Sequence, residues 1–197
     1  MNVYDFDETI FEGDCEERFF KYLSGFDGFR LTRVKFRFFE VLSKSLKLMS
    51  RTTARQIQYK FLKRIDDIDS FVEKYWDTVE KYMKPWYLEV KKEDDIIASG
   101  TPEFLIRPMV SRLGLTGLVA TDMNKKTGKI TGFFAVGPYK LEYFEKEFDS
   151  NNIDKFYSDA YSDHFLADKA KHAYFIYGKN HDQMTDWNEY FKTHAKK

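Results

Sequence analysis

Hydrophobic and polar positions change period twice along this chain of 197 residues. A short apolar run at 2–6 predicts a buried strand, and it stops abruptly in acids at Asp5-Phe6-Asp7-Glu8. From about residue 14 to 84 the apolar positions recur every three or four residues: Phe19, Phe20 and Leu23, then Val34, Phe38, Val41 and Leu42, then Ala54, Ile57 and Phe61, then Val72, Tyr75, Trp76 and Val79. That spacing predicts helices. The first is capped by Asp14, with Glu16 and Glu17 in its opening turn, and the last begins with the capping box Ser70-x-x-Glu73. Beyond Pro85, apolar runs at 95–99, 117–121, 155–158 and 173–177 predict strands. They alternate with helical stretches at about 102–113, 139–149, 163–170 and 186–194. This alternation is the signature of an α/β fold, a parallel sheet with helices on both faces. Between residues 123 and 136, Lys126-Thr127-Gly128-Lys129 flanked by β-prone residues predicts a hairpin. An all-helical block between the first two strands reads as an insertion at 14–84 into a core made of 1–13 and 85–197.

Composition narrows the class. With 43% hydrophobic residues, the chain can bury a full core and carry one inserted subdomain. Acids and bases balance at 32 each, so bulk charge names no partner. The distribution is uneven, however: residues 28–64 hold eleven basic residues against the single acid Glu40, a net charge of +10. Such a surface is either a solvated helical face or a cationic patch that draws in an anionic substrate or rests on an anionic membrane. The lone Cys15 excludes an internal disulfide and suits a reducing compartment. No leader or membrane-spanning run is visible, so a cytoplasmic protein is expected, as a monomer or homodimer. No nucleic-acid module is recognisable, and no nucleic-acid partner is expected. The Lys196-Lys197 end is expected to fray. His164, His172, His181 and His194 show no metal-ligand spacing and read as surface or packing residues.

The chemistry concentrates at strand ends. Asp5 and Asp7 would point to the same side if the first strand continued, and their repulsion is relieved by a hard divalent cation such as Mg²⁺ held by oxygen ligands. The alternative is a strand followed by a turn with solvated acids. The second strand ends in Ser99-Gly100 before a helix start, Lys140 opens the helix at 141–148, and the strand at 155–158 ends in Asp159 and Asp163, four apart. In open parallel sheets ligands bind beyond the carboxyl ends of the strands, where Asp5, Ser99 and Asp159 fall.

This order, DxDxT, then Ser at a strand end, then Lys, then DxxxD, resembles the four motifs of the haloacid dehalogenase superfamily. The segments SGTPEFLIRP, LVATDMNKKTGKITGFF and GPYK are most similar to its phosphoserine-phosphatase-like branch, subfamily IB. The resemblance implies a Rossmann-like core with a helical cap at 14–84 and an Mg²⁺-dependent phosphomonoester hydrolase. By carry-over, Asp5 is the nucleophile that forms an aspartyl-phosphate, and Asp7 is the general acid and then base. Ser99, the Gly100 N–H and Lys140 hold the phosphoryl group. Asp5, the Asp7 carbonyl and Asp159 are the metal ligands, with Asp163 orienting a metal-bound water or Lys140. Asp14 stands where relatives place a longer Glu that binds the substrate's amino group. Glu8 replaces a small residue common in relatives, and Tyr157-Ser158-Asp159 stands where Gly-Asp is commoner. The expected substrate is a small acidic phosphorylated metabolite resembling phosphoserine. The alternatives are a lipid head-group phosphatase resembling those for phosphatidylglycerophosphate, with peripheral membrane contact, and a catalytically silent phosphate-binding protein. The cap is expected to open about Glu12-Gly13 and Lys84-Pro85.

Overall fold

The computed structural model describes residues 1–132 and 134–194, so the Lys196-Lys197 end lies outside the described residues. Strand β1 (Asn2–Tyr4) is followed by helices α1 (Cys15–Leu23), α2 (Thr32–Glu40), α3 (Arg51–Gln58), α4 (Ile68–Val79) and α5 (Pro85–Val90). Then come β2 (Ile96–Pro102), α6 (Glu103–Arg112), β3 (Gly117–Thr121) and the hairpin strands β4 (Met123–Asn124) and β5 (Lys129–Ile130). The chain closes with α7 (Pro138–Glu147), β6 (Lys155–Ser158), α8 (His164–Ala167), β7 (His172–Tyr177), β8 (Gln183–Asp186) and α9 (Trp187–His194). The main sheet runs β3-β2-β1-β6-β7-β8, parallel except for β8, which pairs antiparallel with β7 at the edge.

Alternation along the strands divides the core in two. Tyr4, Ile97, Leu118 and Tyr157 face the helical block and α6, whereas Val3, Ile96, Val119 and Phe156 face α7, α8 and α9. Tyr4, Tyr157 and Tyr174 share one register across three neighbouring strands. Their rings stack with centroids 4.7 and 4.9 Å apart, a cross-strand ladder that fixes the strands relative to one another. The helical block is joined to the core by α4: the Trp76 indole N–H donates to the Leu105 carbonyl on α6 at 2.7 Å, with Trp76 fully buried.

Several boundaries differ from the sequence expectation. Helix α4 starts two residues before the proposed capping box, because the Asp67 carboxylate accepts the Ser70 N–H at 3.0 Å and takes the cap position. The helix expected at 163–170 shrinks to a single α-turn behind a 3₁₀ turn at Tyr161–Asp163, since Asp163 turns inward. Strand β8 and helix α5 were not legible: β8 is an exposed edge strand with little apolar content, and α5 is only six residues long. Asp14 does cap α1, accepting the Glu17 N–H at 2.8 Å.

Candidate active site

Strand β1 ends at Tyr4, shorter than its apolar run, so Asp5 lies just past the ladder with its N–H still donating to the Tyr157 carbonyl at 2.9 Å. Its neighbours β2 and β6 lie on either side in the sheet. This crevice beyond their carboxyl ends gathers the expected residues. Lys140, in the first turn of α7 and almost fully buried, donates to Asp5 Oδ1 at 2.9 Å and to Asp163 Oδ2 at 2.7 Å. Asp163 also accepts from Ser158 Oγ at 2.8 Å. Of the two roles offered for Asp163, the contact made here is the one that holds Lys140.

Burial pushes the Asp5 carboxyl up to about 7 against the lowering effect of the Lys140 ammonium, with Asp163 and Asp159 adding to the rise. Asp159 is pushed up to about 6 by burial and by the Asp163 charge. Burial would strip Lys140 of its proton, but Asp163 and Asp5 hold it on and raise the group above its ordinary value.

Asp5 and Asp7 do not share one face. The chain leaves the strand after Tyr4, and Asp7 turns toward the start of α1: its Oδ1 accepts the Cys15 N–H at 2.6 Å and its Oδ2 accepts from Thr101 Oγ1 at 3.0 Å. Burial, then the neighbouring Asp14 charge, raise the Asp7 carboxyl well above the usual carboxylate range, against the Cys15 N–H. Asp14 therefore acts on Asp7 through space while its own oxygen caps α1.

Ser99 and Gly100 were expected at the end of a strand. They lie within β2, in an irregular stretch between Ala98 and Pro102 where the ladder to β3 shifts register. The shift turns the backbone out of the pleat, and Ser99 Oγ accepts the Thr101 N–H at 3.1 Å. A β-carbon on Gly100 would come within 2.8 Å of Val136 Cγ1, so a larger residue there forces the Val136 side chain to shift.

Four contacts escaped the sequence reading. Thr9, fully buried, accepts the Asp159 N–H at 3.0 Å and ties the loop after β1 to the end of β6. Thr101 holds Asp7, as above. Glu8 sits at a φ of 58°, a region that is costly for a residue with a side chain. Its carboxylate accepts the Gly13 N–H at 3.2 Å and meets His181 Nδ1 at 3.1 Å. His181, read as a surface or packing residue, thus stands at the site, with Nε2 3.8 Å from Asp159. Only the turn residue Gly178 before it hinted at a loop folding back. A cavity of about 500 Å³ opens between Arg51 and Thr52 of α3 and Phe134, Pro138, Tyr139 and Ser162, around the start of α7.

The donor set suits a hard cation. Carboxylates at Asp5 and Asp159 and a backbone carbonyl at Asp7 are oxygen donors of the kind Mg²⁺ takes, usually completed by water and substrate phosphate. Among the described residues no group of three or more His, Cys, Asp or Glu side chains is arranged to hold a metal. The expected set does not need one, since it uses two carboxylates and a main-chain oxygen.

Comparison with known proteins gives the same family as the motifs. The family model for haloacid dehalogenase-like hydrolases matches residues 3–168. No curated protein matches the sequence. Among solved structures, a Bordetella pertussis Tohama I protein of unknown function superposes with a TM-score of 0.73 at 16% identity, covering 88% of this chain and 87% of that one. A phosphoserine phosphohydrolase-like protein from Francisella tularensis gives 0.55 at 18% identity, over 88% and 86%. A phosphoserine phosphatase described as a phospho-aspartyl intermediate analogue gives 0.52 at 16%, over 87% and 83%. At these identities the likeness is one of fold.

Proposed function

We propose, for a chain that belongs to the haloacid dehalogenase-like hydrolases, that it is a phosphomonoesterase working through an aspartyl-phosphate on Asp5. The observation that supports this most is the buried lysine bridging two buried carboxylates at the ends of three strands. A nucleophilic carboxylate needs to stay ionised while a doubly charged phosphate approaches, and the Lys140 ammonium serves both ends of that encounter.

In the proposed reaction, an Asp5 carboxylate oxygen forms a bond to phosphorus as the ester P–O bond breaks. The leaving alkoxide takes the proton of Asp7, whose affinity for that proton is raised by burial and by the Asp14 charge. Asp7, now a carboxylate, removes a proton from the water that cleaves the Asp5 phosphoanhydride, which releases inorganic phosphate and restores both acids. In this reading the Ser99 hydroxyl and the Gly100 N–H would donate to phosphoryl oxygens, and Lys140 would neutralise their charge. Mg²⁺, held by Asp5, Asp159 and the Asp7 carbonyl, would supply charge neutralisation at the phosphoryl group.

The cavity of about 500 Å³ between α3 and the start of α7 would take the leaving group. Arg51 on its wall lies 5.2 Å from the Phe134 ring centre and makes no ion pair among the described residues, so the wall favours an acidic phosphomonoester. Asp14 remains the candidate partner for a substrate amino group. Residues 14–84 would then act as a cap whose connections near Glu12-Gly13 and Lys84-Pro85 bend to admit substrate.

The test is release of p-nitrophenol from p-nitrophenyl phosphate with Mg²⁺ and with EDTA, for the native protein and Asp5→Asn. Hydrolysis that needs the cation and vanishes in Asp5→Asn is expected. Equal rates with EDTA, or a native rate in Asp5→Asn, would sink the assignment. Binding of Mg²⁺ without turnover of any phosphate in a broad panel would mark a silent phosphate-binding protein.

A further inference from the structure

We propose that the outer face of α2, with the turn that follows it, docks on an anionic lipid bilayer. Leu31, Val34, Phe38 and Val41 follow one another at steps of three, four and three, which places them in one stripe along the helix. They are 64, 64, 57 and 49% exposed. Leu46 and Leu48, at 56 and 73%, extend the apolar surface beyond the π-turn at Val41–Ser45. Toward the protein, α2 buries a single residue, Phe36. The helix therefore shows water more large apolar side chains than it gives the core, which marks an interaction surface.

The charges around the stripe select the partner. Arg33 and Arg37 share the single carboxylate of Glu17, and Lys44 and Arg55 share Glu40. Lys35 and Lys47 on α2 and its turn, and Lys60 opposite, have no ion pair among the described residues. A cavity of about 790 Å³ runs alongside, with an apolar floor that includes Phe39, Ile57 and Phe61 and a rim that includes Lys35, Lys60 and Arg64. A second copy docking face to face would set one +10 region against another, so self-association is disfavoured. Nucleic acid would use the cations but leave Leu31, Val34 and Phe38 in water. A bilayer with anionic head groups takes both, the lysines at phosphate level and the stripe at the acyl boundary. No described helix is long and apolar enough to cross a membrane, so the contact lies on the surface. The inference is independent of the catalytic reading, because it concerns binding and none of the active-site residues.

Co-sedimentation of the whole protein with vesicles of phosphatidylcholine alone, and of phosphatidylcholine mixed with phosphatidylglycerol, tests it. Binding to the mixed vesicles only is expected. Val34→Asp with Phe38→Asp should lower the bound-to-free ratio by about tenfold or more. Lys35→Glu with Lys47→Glu should lower it by at least about fivefold per lysine. Both pairs should leave circular dichroism and p-nitrophenyl phosphate hydrolysis unchanged. Equal binding to both vesicle types, no binding, or binding that neither pair alters would overturn the proposal. So would light scattering that shows a dimer dissociated by Val34→Asp with Phe38→Asp, or tighter retention on duplex DNA than on vesicles. A protein that hydrolyses soluble phosphate esters but ignores vesicles would reject the docking and leave the phosphatase standing.

Discussion

Replacing Arg55 with Met probes the helical block where its polar interior is most exposed to failure. The Arg55 side chain is 6% exposed and pairs with Glu16 Oε2 at 3.0 Å and Glu40 Oε1 at 3.5 Å, whose side chains are 5 and 18% exposed. Tyr59 donates its hydroxyl to Glu16 Oε1 at 2.7 Å. Removing one partner of a buried ion pair strands the other and costs about 3–5 kcal/mol. At roughly 2–4 °C per kcal/mol for a domain of this size, the melting temperature should fall by about 6–20 °C. The loss should depend on pH. Burial, only partly offset by Arg55, already lifts Glu16 to about 7 from its ordinary 4.5. Between those values the folded protein holds a proton that the unfolded chain releases, so stability from this group falls as pH rises, by up to about 1.4 kcal/mol per pH unit. Without Arg55 the folded value climbs further, and the variant should lose more at pH 8 than at pH 5, both pH values being roughly chosen to bracket that window. Urea unfolding followed by circular dichroism reads both effects. Glu16→Leu added to Arg55→Met should recover much of the loss, because removing both charges can be neutral or better. A cost of Arg55→Met below about 1 kcal/mol, or strict additivity of the pair, would refute the reasoning.

Two further outcomes follow from the active site. Thr101→Val removes the hydroxyl that holds Asp7 Oδ2; with a hydrogen bond to an uncharged carboxyl worth about 0.5–1.5 kcal/mol, kcat should fall roughly 2- to 13-fold with KM little changed, and steady-state kinetics that show only a KM effect would count against it. Gly100→Ala drives a methyl into Val136 Cγ1 at 2.8 Å, and inorganic phosphate inhibition should weaken with turnover, whereas native inhibition would mean that the 134–136 segment yields freely.

The order of elements and the strand-end acids were legible because both follow from local pattern: period two against period three to four, and abrupt stops at Asp5 and Asp159. What was not legible depends on partners distant in sequence. Thr9 reads as an ordinary turn residue until β6 arrives to offer the Asp159 N–H. His181 lacks metal-ligand spacing, and only the turn before β8 carries it back to Glu8. The Ser70 cap failed because Asp67, three residues earlier, accepts both the N–H and the hydroxyl of Ser70. The α2 stripe shows the opposite limit. Its periodicity correctly gives a helix, but periodicity cannot tell a core-facing stripe from one turned to solvent.

In the proposed mechanism the protonation of Asp7 would depend on the seating of the helical block. Two of the groups around it, the Cys15 N–H and the Asp14 charge, come from the start of α1, and α1 is reached through Gly13, at a φ of 82°. The outgoing and returning connections are also stitched together. The Glu12 N–H donates to the Tyr82 carbonyl at 2.9 Å, and the Lys84 N–H donates to the Ile10 carbonyl at 2.8 Å. The Lys84 ammonium then bonds the carbonyls of Glu8 and His181, the latter at 2.6 Å. A movement of α1 away from the sheet would withdraw the Cys15 donor, the Asp14 charge and the cover over Asp7 together. Loss of burial and of Asp14 lowers its proton affinity, whereas loss of the N–H raises it, and burial is the largest of the three. Opening of the proposed cap would therefore favour the carboxylate and closure the acid, so the proposed general acid would hold its proton more tightly while the block is seated and water is excluded.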